Sequence, residues 1–317
     1  MKEDISYTTE EIAQILKVSK LTVYDLIKKE RLPSYRVGRQ IRVDARDLAD
    51  YKEQAKSKRN VNRGDAHFKG NPPDESKSFT TPTRQIIISG QDLSLDILAN
   101  CIEKNSTEYR PLRSYTGSLN SLISMYQGEA DVVSTHLFDG DTGEYNVPYI
   151  RKILVGQPYL IINFLSRWEG FYVRKGNPKN IKSWTDLTKP GITMVNREKG
   201  SGVRVLIDEK FRIEGISPQH VCGYDVEELN HIGVASKVAS EEADVGIGTE
   251  KTAHLVDVDF IPLIQEQYDL VILKTPQNEG LIDLMTHILH SDSFQKEIKS
   301  IGGYDLSKTG KVIYETF

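Results

Sequence analysis

Apolar positions along the chain follow two regimes. From Tyr7 to Tyr51 they come in short bursts at helical spacing: Ile12, Ile15 and Leu16 behind Thr8 or Thr9 and the acidic Glu10 and Glu11, then Leu21, Val23 or Tyr24, and Ile27 behind Ser19. Each burst reads as a short amphipathic helix opened by a hydroxyl cap, with Val18 as the connection. Pro33 stops the second helix, and Tyr35 to Val43 alternates on both sides of Gly38, as a hairpin does. Asp44 caps a closing helix from Ala45 to about Ala55, in which Leu48 and Tyr51 pack back. The order is helix, turn, helix, hairpin, helix.

Lys56 to Thr83 has few apolar residues, several Pro and Gly and no period, which predicts a flexible connector. Beyond Arg84 short apolar runs alternate with helical stretches, the signature of an α/β unit. Strands are expected at Ile86–Ile88, Pro111–Tyr115 and Asp131–Thr135, with helices at Leu93–Asn105 and Leu119–Gly128 between them. Strands around Tyr159–Phe164 and Gly170–Arg174 lead to a second half: strand Ile192–Val195, helices Val203–Gly215 and Gly233–Ser240, strand Asp244–Gly248. The chain returns through Phe260–Leu263 and Tyr268–Leu273 to C-terminal helices. Two α/β lobes joined by crossing strands enclose a cleft that closes by hinge motion around a small ligand.

At roughly 100 to 200 residues per domain, the 317 residues call for two or three folding units. With 38% hydrophobic and 27% charged residues the chain is of ordinary globular type. No run of apolar residues is long enough for a membrane helix, and the polar start lacks a signal-peptide core, so a cytoplasmic protein without membrane contact is expected. Cys101 and Cys222 alone imply no disulfide framework and no zinc spacing; two reduced, buried thiols are expected, with no metal and no cofactor. The net charge of −4 hides an asymmetry: residues 1–63 hold 15 Lys+Arg against 10 Asp+Glu (net +5), and the rest hold 26 against 35 (net −9). A basic head on an acidic body is the electrostatic outline of a DNA-binding module joined to a unit with another task.

The ordered set TTEEIAQILKVSKLTVYDLI, LPSYRVGRQIRV and DARDL resembles the excisionase-type winged helix-turn-helix family, akin to MerR-like DNA-binding domains. The resemblance places Ser19, Lys20, Leu21, Thr22 and Tyr24 on the helix that enters the groove, and Arg36, Arg39 and Arg42 on a wing near phosphates. Side chains at the start of the recognition helix read base edges, whereas Arg and Lys near phosphates add salt-dependent affinity without sequence preference. Residues 84–317 are similar to the periplasmic-binding-protein-like domain of cytoplasmic regulators, related to molybdate-type solute-binding proteins. The stretches that carry this are THLFDGDTGEYNVPYI, EGFYVRKGNPKNIKSWTDL, VNREKGSGVRVLID, ADVGIG and IGGYDLSKTG. The resemblances imply an α/β chain with a winged helix-turn-helix at 1–55, a linker at 56–83 and a two-lobed type II periplasmic-binding-protein-like domain at 84–317. Its lobes are expected at about 84–158 with 264–317, and at 159–263.

In open α/β sheets ligands sit beyond the carboxyl ends of the strands, where loops enter helix N-termini. Ser89, Gly90 and Gln91, then Thr116, Gly117 and Ser118, then Thr135 and His136 fit that position in the first lobe. Asn196, Arg197, Gly200, Ser201, Gly202 and Arg204 fit it in the second. Small residues admit backbone amides and hydroxyls add donors, so a small oxyanion is the expected ligand, and the resemblance points to molybdate or tungstate. His136 in a cleft loop has the chemistry to bind a ligand or sense pH, but it reads first as a hydrogen-bonded structural His. Asp139, Asp141 and Glu144 miss the calcium-loop spacing, and no nucleophile, P-loop or zincin motif is present. The expected function is a ligand-responsive transcription regulator, not an enzyme, that binds operator DNA as a homodimer and a small anion in the cleft. The alternatives are an enzyme on a two-lobed binding fold and a recombination accessory factor.

Overall fold

The computed structural model describes residues 6–16, 20, 23, 26–27, 32–37, 40–48, 51 and 83–317, and the chain divides into two compact units, residues 1–77 and 78–317. In the first, β1 (Ser6–Thr8) leads into α1 (Thr9–Leu16). Thr8 is the cap: its backbone N–H and hydroxyl donate to Glu11 Oε2 at 2.8 and 3.0 Å, and the Glu11 N–H returns to Thr8 Oγ1 at 3.3 Å, a reciprocal capping box. Residues 20, 23, 26–27 and 45–48 are helical. β2 (Tyr35–Val37) and β3 (Gln40–Asp44) form the expected hairpin, and β1 pairs with the other edge of β3. Ile12, Val23, Leu32, Val43 and Leu48 form the core, so Val23 fills the core position of the second helix. Ile15, grouped with Ile12 by spacing, is 40% exposed. The connector expected at 56–83 lies outside the described residues up to 82.

In the second unit β4 (Arg84–Ser89), α2 (Ser94–Asn105), β5 (Tyr109–Ser114), α3 (Ser118–Tyr126) and β6 (Val132–Thr135) form the expected βαβαβ half, with β4 parallel to both β5 and β6. α4 (Val147–Ile153) leads into β7 (Tyr159–Val173). The second lobe holds β8 (Asn196–Arg197), α5 (Gly202–Glu214), β9 (Glu227–Glu228), α6 (His231–Ala239), β10 (Val245–Thr249) and α7 (Glu250–Val256). β11 (Asp259–Leu273), α8 (Glu279–His290), α9 (Asp292–Ile301) and β12 (Val312–Glu315) complete the chain. The main sheet has the order β10-β7-β11-β6-β4-β5, with β12 also on β7.

The four short strands expected around 159–174 and 260–273 are two continuous strands of 15 residues, antiparallel along their length. Leu160, Ile162 and Phe164 of β7 pack with Leu98 of α2, Met285 of α8 and Phe294 of α9. Tyr159 and Ile161 face the other way, onto Leu122 of α3 and Ile150 of α4. Farther along, Phe171 and Val173 meet Trp184 and Phe211, and Tyr172 meets Val234 and Ala253. Coverage on both faces is why the strand is apolar nearly throughout. Residues 159–165 therefore lie in the core of the first lobe, and the crossing between lobes falls at 165–169 against 264–268. Register shifts at Pro262/Ile264 and Tyr268/Asp269 bracket it, and such bulges bend strands.

The stretch 192–195 makes only single bridges at Thr193 and Met194 instead of a strand. α4, α7 and β12 were not expected. Cys101 is buried, but Cys222 is exposed, because it sits in a loop beside Thr193. Among the described residues no helix is long and apolar enough to cross a membrane.

Candidate ligand-binding site

Four helices begin at one cleft, α2 and α3 from the first lobe and α5 and α6 from the second. Their openings are fixed locally. Asp92 Oδ1 accepts from the Ser94 N–H at 2.8 Å, Ser201 Oγ from the Arg204 N–H at 3.2 Å, and Asn230 Oδ1 from the Gly233 N–H at 2.8 Å. Between the lobes lies a cavity of about 220 Å³ whose wall includes Leu93, Gly117, Ser118, Ser201, Gly202 and Asn230. The positive ends of four helix dipoles thus face one space.

The lobes touch at its edge. The Leu119 N–H donates to the Gly200 carbonyl at 3.0 Å. A Cβ on Gly202 would lie 2.5 Å from the His136 ring. Arg197 Nη2 donates to Gln91 Oε1 at 2.7 Å and to Glu198 Oε1 at 3.0 Å, and Gln91 Nε2 donates to Glu198 Oε1 at 3.1 Å, so a side chain of the first lobe is threaded between two of the second.

Buried charge is concentrated where the strands cross. Arg167, 5% exposed, donates to Asp92 Oδ2 and Glu266 Oε1 and lies 3.8 Å from Glu169 Oε1. Its guanidinium lies 4.7 Å from the centre of the Tyr268 ring. His136 Nδ1 is 2.8 Å from Glu266 Oε2. Burial alone would raise the carboxyl of Glu266, but Arg167 and His136 outweigh it and hold it below the ordinary range. Asp92 is lowered in the same way, burial being outweighed by Arg167, Ser94 and Tyr304.

Glu169 goes the other way. Burial, then neighbouring Glu266, pushes its carboxyl well up, and neither oxygen has a conventional donor. A neutral Glu169 carboxyl beside an ionised Glu266 is the consistent state, since two carboxylates in one dry site cannot both ionise. Burial, then Arg197, Arg167 and His136, depresses His231 well below its usual range, so its imidazole is neutral. On the cavity wall Arg167, Arg197 and Lys251 are cationic and Asp92 is the single carboxylate.

The structure brings nine of the fourteen expected ligand residues to this wall: Gly90, Gln91, Thr116, Gly117, Ser118, His136, Arg197, Ser201 and Gly202. Five lie off it. Ser89 is buried in a triangle of hydroxyls with Thr116 and Ser121, at 2.6 and 2.8 Å. Thr135 is fully buried with its hydroxyl unpartnered. Asn196 serves the backbone, donating to the Tyr224 carbonyl and accepting from the Arg197 N–H. Gly200, at φ 91°, abuts Asn120, and Arg204 is tied to Asp208, Glu227 and the Arg197 carbonyl. Asp92, the last residue of the loop expected after the first strand, also lines the cavity; Arg167, His231, Thr249, Lys251 and Tyr304 line it without having been singled out, and Glu169 and Glu266 stand behind it. The i, i+2 spacing of Arg167 with Glu169, and of Glu266 with Tyr268, was the available signal: charge repeating on one face of otherwise apolar strands.

Of the expected DNA-contacting residues, Ser19, Leu21, Thr22, Tyr24 and Arg39 lie outside the described ones. Lys20 is half-exposed and paired with Glu10. Arg36 is on β2, and Arg42 on β3 donates to Ser6 Oγ at 3.2 Å.

A two-lobed α/β domain with helix N-termini gathered around one inter-lobe cavity is a domain of the solute-binding class. The chain belongs to the PBP superfamily, whose domain matches residues 99–290, and residues 6–56 match a helix-turn-helix domain. It is 49% identical over its full length to the uncharacterized protein YvgK of Bacillus subtilis, also covering all of that protein. It is 30% identical to the molybdate-binding protein ModA of Mycobacterium tuberculosis over 139 residues, 42% of this chain and about half (48%) of ModA. A putative phosphate ABC transporter substrate-binding protein of Clostridium perfringens, solved with bound phosphate, superposes with a TM-score of 0.51 at 14% identity, over 70% of this chain and 99% of that one. The chain thus joins a helix-turn-helix DNA-binding domain to a solute-binding domain.

Proposed function

We propose that this protein is a ligand-responsive transcription regulator whose PBP-like domain closes on a small oxyanion and whose N-terminal domain binds operator DNA. The observation that carries the ligand reading is the convergence of four helix N-termini and Lys251 on a cavity whose wall presents one carboxylate, Asp92, tied to Arg167, with Arg197 also on the wall and paired with Glu198. Free amides and dipoles at helix N-termini favour anions. The similarity to ModA makes molybdate and tungstate the first anions to test.

On the DNA side, Lys20, Leu21, Thr22 and Tyr24 read base edges, and Arg36, Arg39 and Arg42 approach phosphates. A homodimer on paired half-sites follows from the small DNA surface that one such domain covers. A coupling of about 1–3 kcal/mol between anion and operator is enough for a genetic switch.

The test is calorimetric titration of the full chain with molybdate, tungstate, sulfate and phosphate, followed by DNA-binding isotherms on a selected site with and without the anion. Micromolar or tighter binding that shifts DNA affinity supports the reading. Silence with all four rules these inorganic anions out as the ligand, and an anion that binds but leaves DNA affinity unmoved defeats the reading.

A further inference from the structure

The cavity has a charged floor and an apolar mouth. Leu93 at the opening of α2, Ile232 in α6 and Leu255 in α7 all line it, and they are 55%, 51% and 70% exposed. Large apolar side chains scattered singly over a surface need no explanation. These three come from both lobes and border the same hollow, with the Tyr304 ring alongside. The Tyr304 hydroxyl donates to Asp92, and Lys251 Nζ lies 5.2 Å from the ring centre, so the ring is fixed as a wall.

Size points the same way. A cavity of about 220 Å³ exceeds the roughly 150 Å³ in which an apolar cavity takes up benzene, so it has room for a ring beside an anionic head. A bare oxyanion seated against Arg167 and Lys251 would leave the apolar mouth wet. A polar floor that orients the ligand under apolar walls is the arrangement that recognises organic molecules.

We propose that the oxyanion is the head group of a small organic molecule whose compact apolar body lies against Leu93, Ile232 and Leu255. This rests on the anion reading above and narrows it. The head is held by Arg167, Lys251 and the helix N-termini, and the body is covered when the lobes close, so apolar burial adds to charge recognition only in the closed form.

The test titrates the full-length chain with inorganic phosphate, methylphosphonate and phenylphosphonate at one pH, with molybdate and tungstate as inorganic references, and repeats the series on Leu255→Ser. Leu255 is largely exposed, so the variant folds. The expected result is phenylphosphonate binding at least tenfold tighter than phosphate, and a preference that shrinks to threefold or less in Leu255→Ser. Molybdate, tungstate or phosphate binding as tightly as phenylphosphonate overturns this inference and leaves the oxyanion reading standing, as does a preference that Leu255→Ser does not change. Failure of all five anions overturns both.

Discussion

Gly117 offers a direct test of closure. It caps α3 at φ −69° and ψ 161°, a conformation open to any residue, and Ser is a better helix cap than Gly. Within its own lobe Gly117→Ser is therefore neutral or slightly stabilising. The added Cβ would instead meet the opposite lobe, 2.7 Å from the Gly200 carbonyl oxygen and 2.9 Å from Ser201 N and Cα. These are backbone atoms, and the 3.0 Å bond from the Leu119 N–H to the same carbonyl holds them in place. Overpacking of this kind costs about 1–3 kcal/mol, and here the cost falls on the closed form alone. If the empty protein opens, anion affinity falls by about 5- to 150-fold, while the urea unfolding midpoint stays within experimental scatter. Calorimetry and urea titration followed by tryptophan fluorescence are the two assays. Unchanged affinity would mean that closure does not accompany binding. A stability loss as large as the affinity loss would mean that the lobes are not hinged.

Arg167→Met removes the cation shared by Asp92 and Glu266 and leaves two buried carboxylates without it, a loss of about 3–5 kcal/mol at pH 8. The deficit shrinks toward pH 5 as those carboxylates take up protons, and urea midpoints across that range decide it; a pH-independent loss would contradict the charge argument. Glu169 has its folded pKa raised above its ordinary 4.5, so the stability it contributes is present below that pH and lost as pH rises through the folded value. Glu169→Gln should therefore gain on the wild type progressively from pH 5 to pH 8, and a difference constant with pH would assign the charged form to Glu169. For the N-terminal domain, Arg39→Ala should weaken DNA binding across sequences and reduce the salt slope by about one unit; an unchanged slope removes the wing from the interface.

Much of the architecture could be read from periodicity. The βαβαβ order of the first lobe appears because its apolar runs alternate with capped helices, and residue types offered Thr8 or Thr9 as the first cap, between which the bonds of Thr8 with Glu11 decide. The two crossing strands were divided because polar residues interrupt their apolar runs: Arg167 to Glu169 in one, and Gln265, Glu266 and Gln267 in the other. Such gaps read as turns when solvent is assumed to be what polar residues seek. Here Arg167, Glu169 and Glu266 are at most 5% exposed, Arg167 pairs with Glu266, and the burial that raises the Glu169 carboxyl keeps it neutral beside them. The interruption that hid the continuity of the strands is the floor of the site. Loop residues such as Gly117 and Ser201 were accessible because helix entries announce themselves locally, whereas the meeting of Asp92 with Arg167, 75 positions apart, is set by the packed fold.

The placement of that charge bears on how a ligand could change the protein's shape. Arg167 and Glu169 belong to β7 and Glu266 to β11, between the two register shifts, and Asp92 and His136 come from loops of the first lobe. Arg167 on the cavity wall and the two carboxyl groups behind it are therefore carried by the strands that join the lobes. A ligand that contacted one lobe only would bind the open and closed forms equally and shift nothing, however tightly it bound. The cavity is lined by Leu93 and Gly117 on one side and by Ser201, Ile232 and Leu255 on the other, so an occupant that met both sides would favour a form that holds the lobes together. On the proposed function, the difference in affinity between the two forms would come from contacts to both lobes made at once, without a relay of intervening contacts.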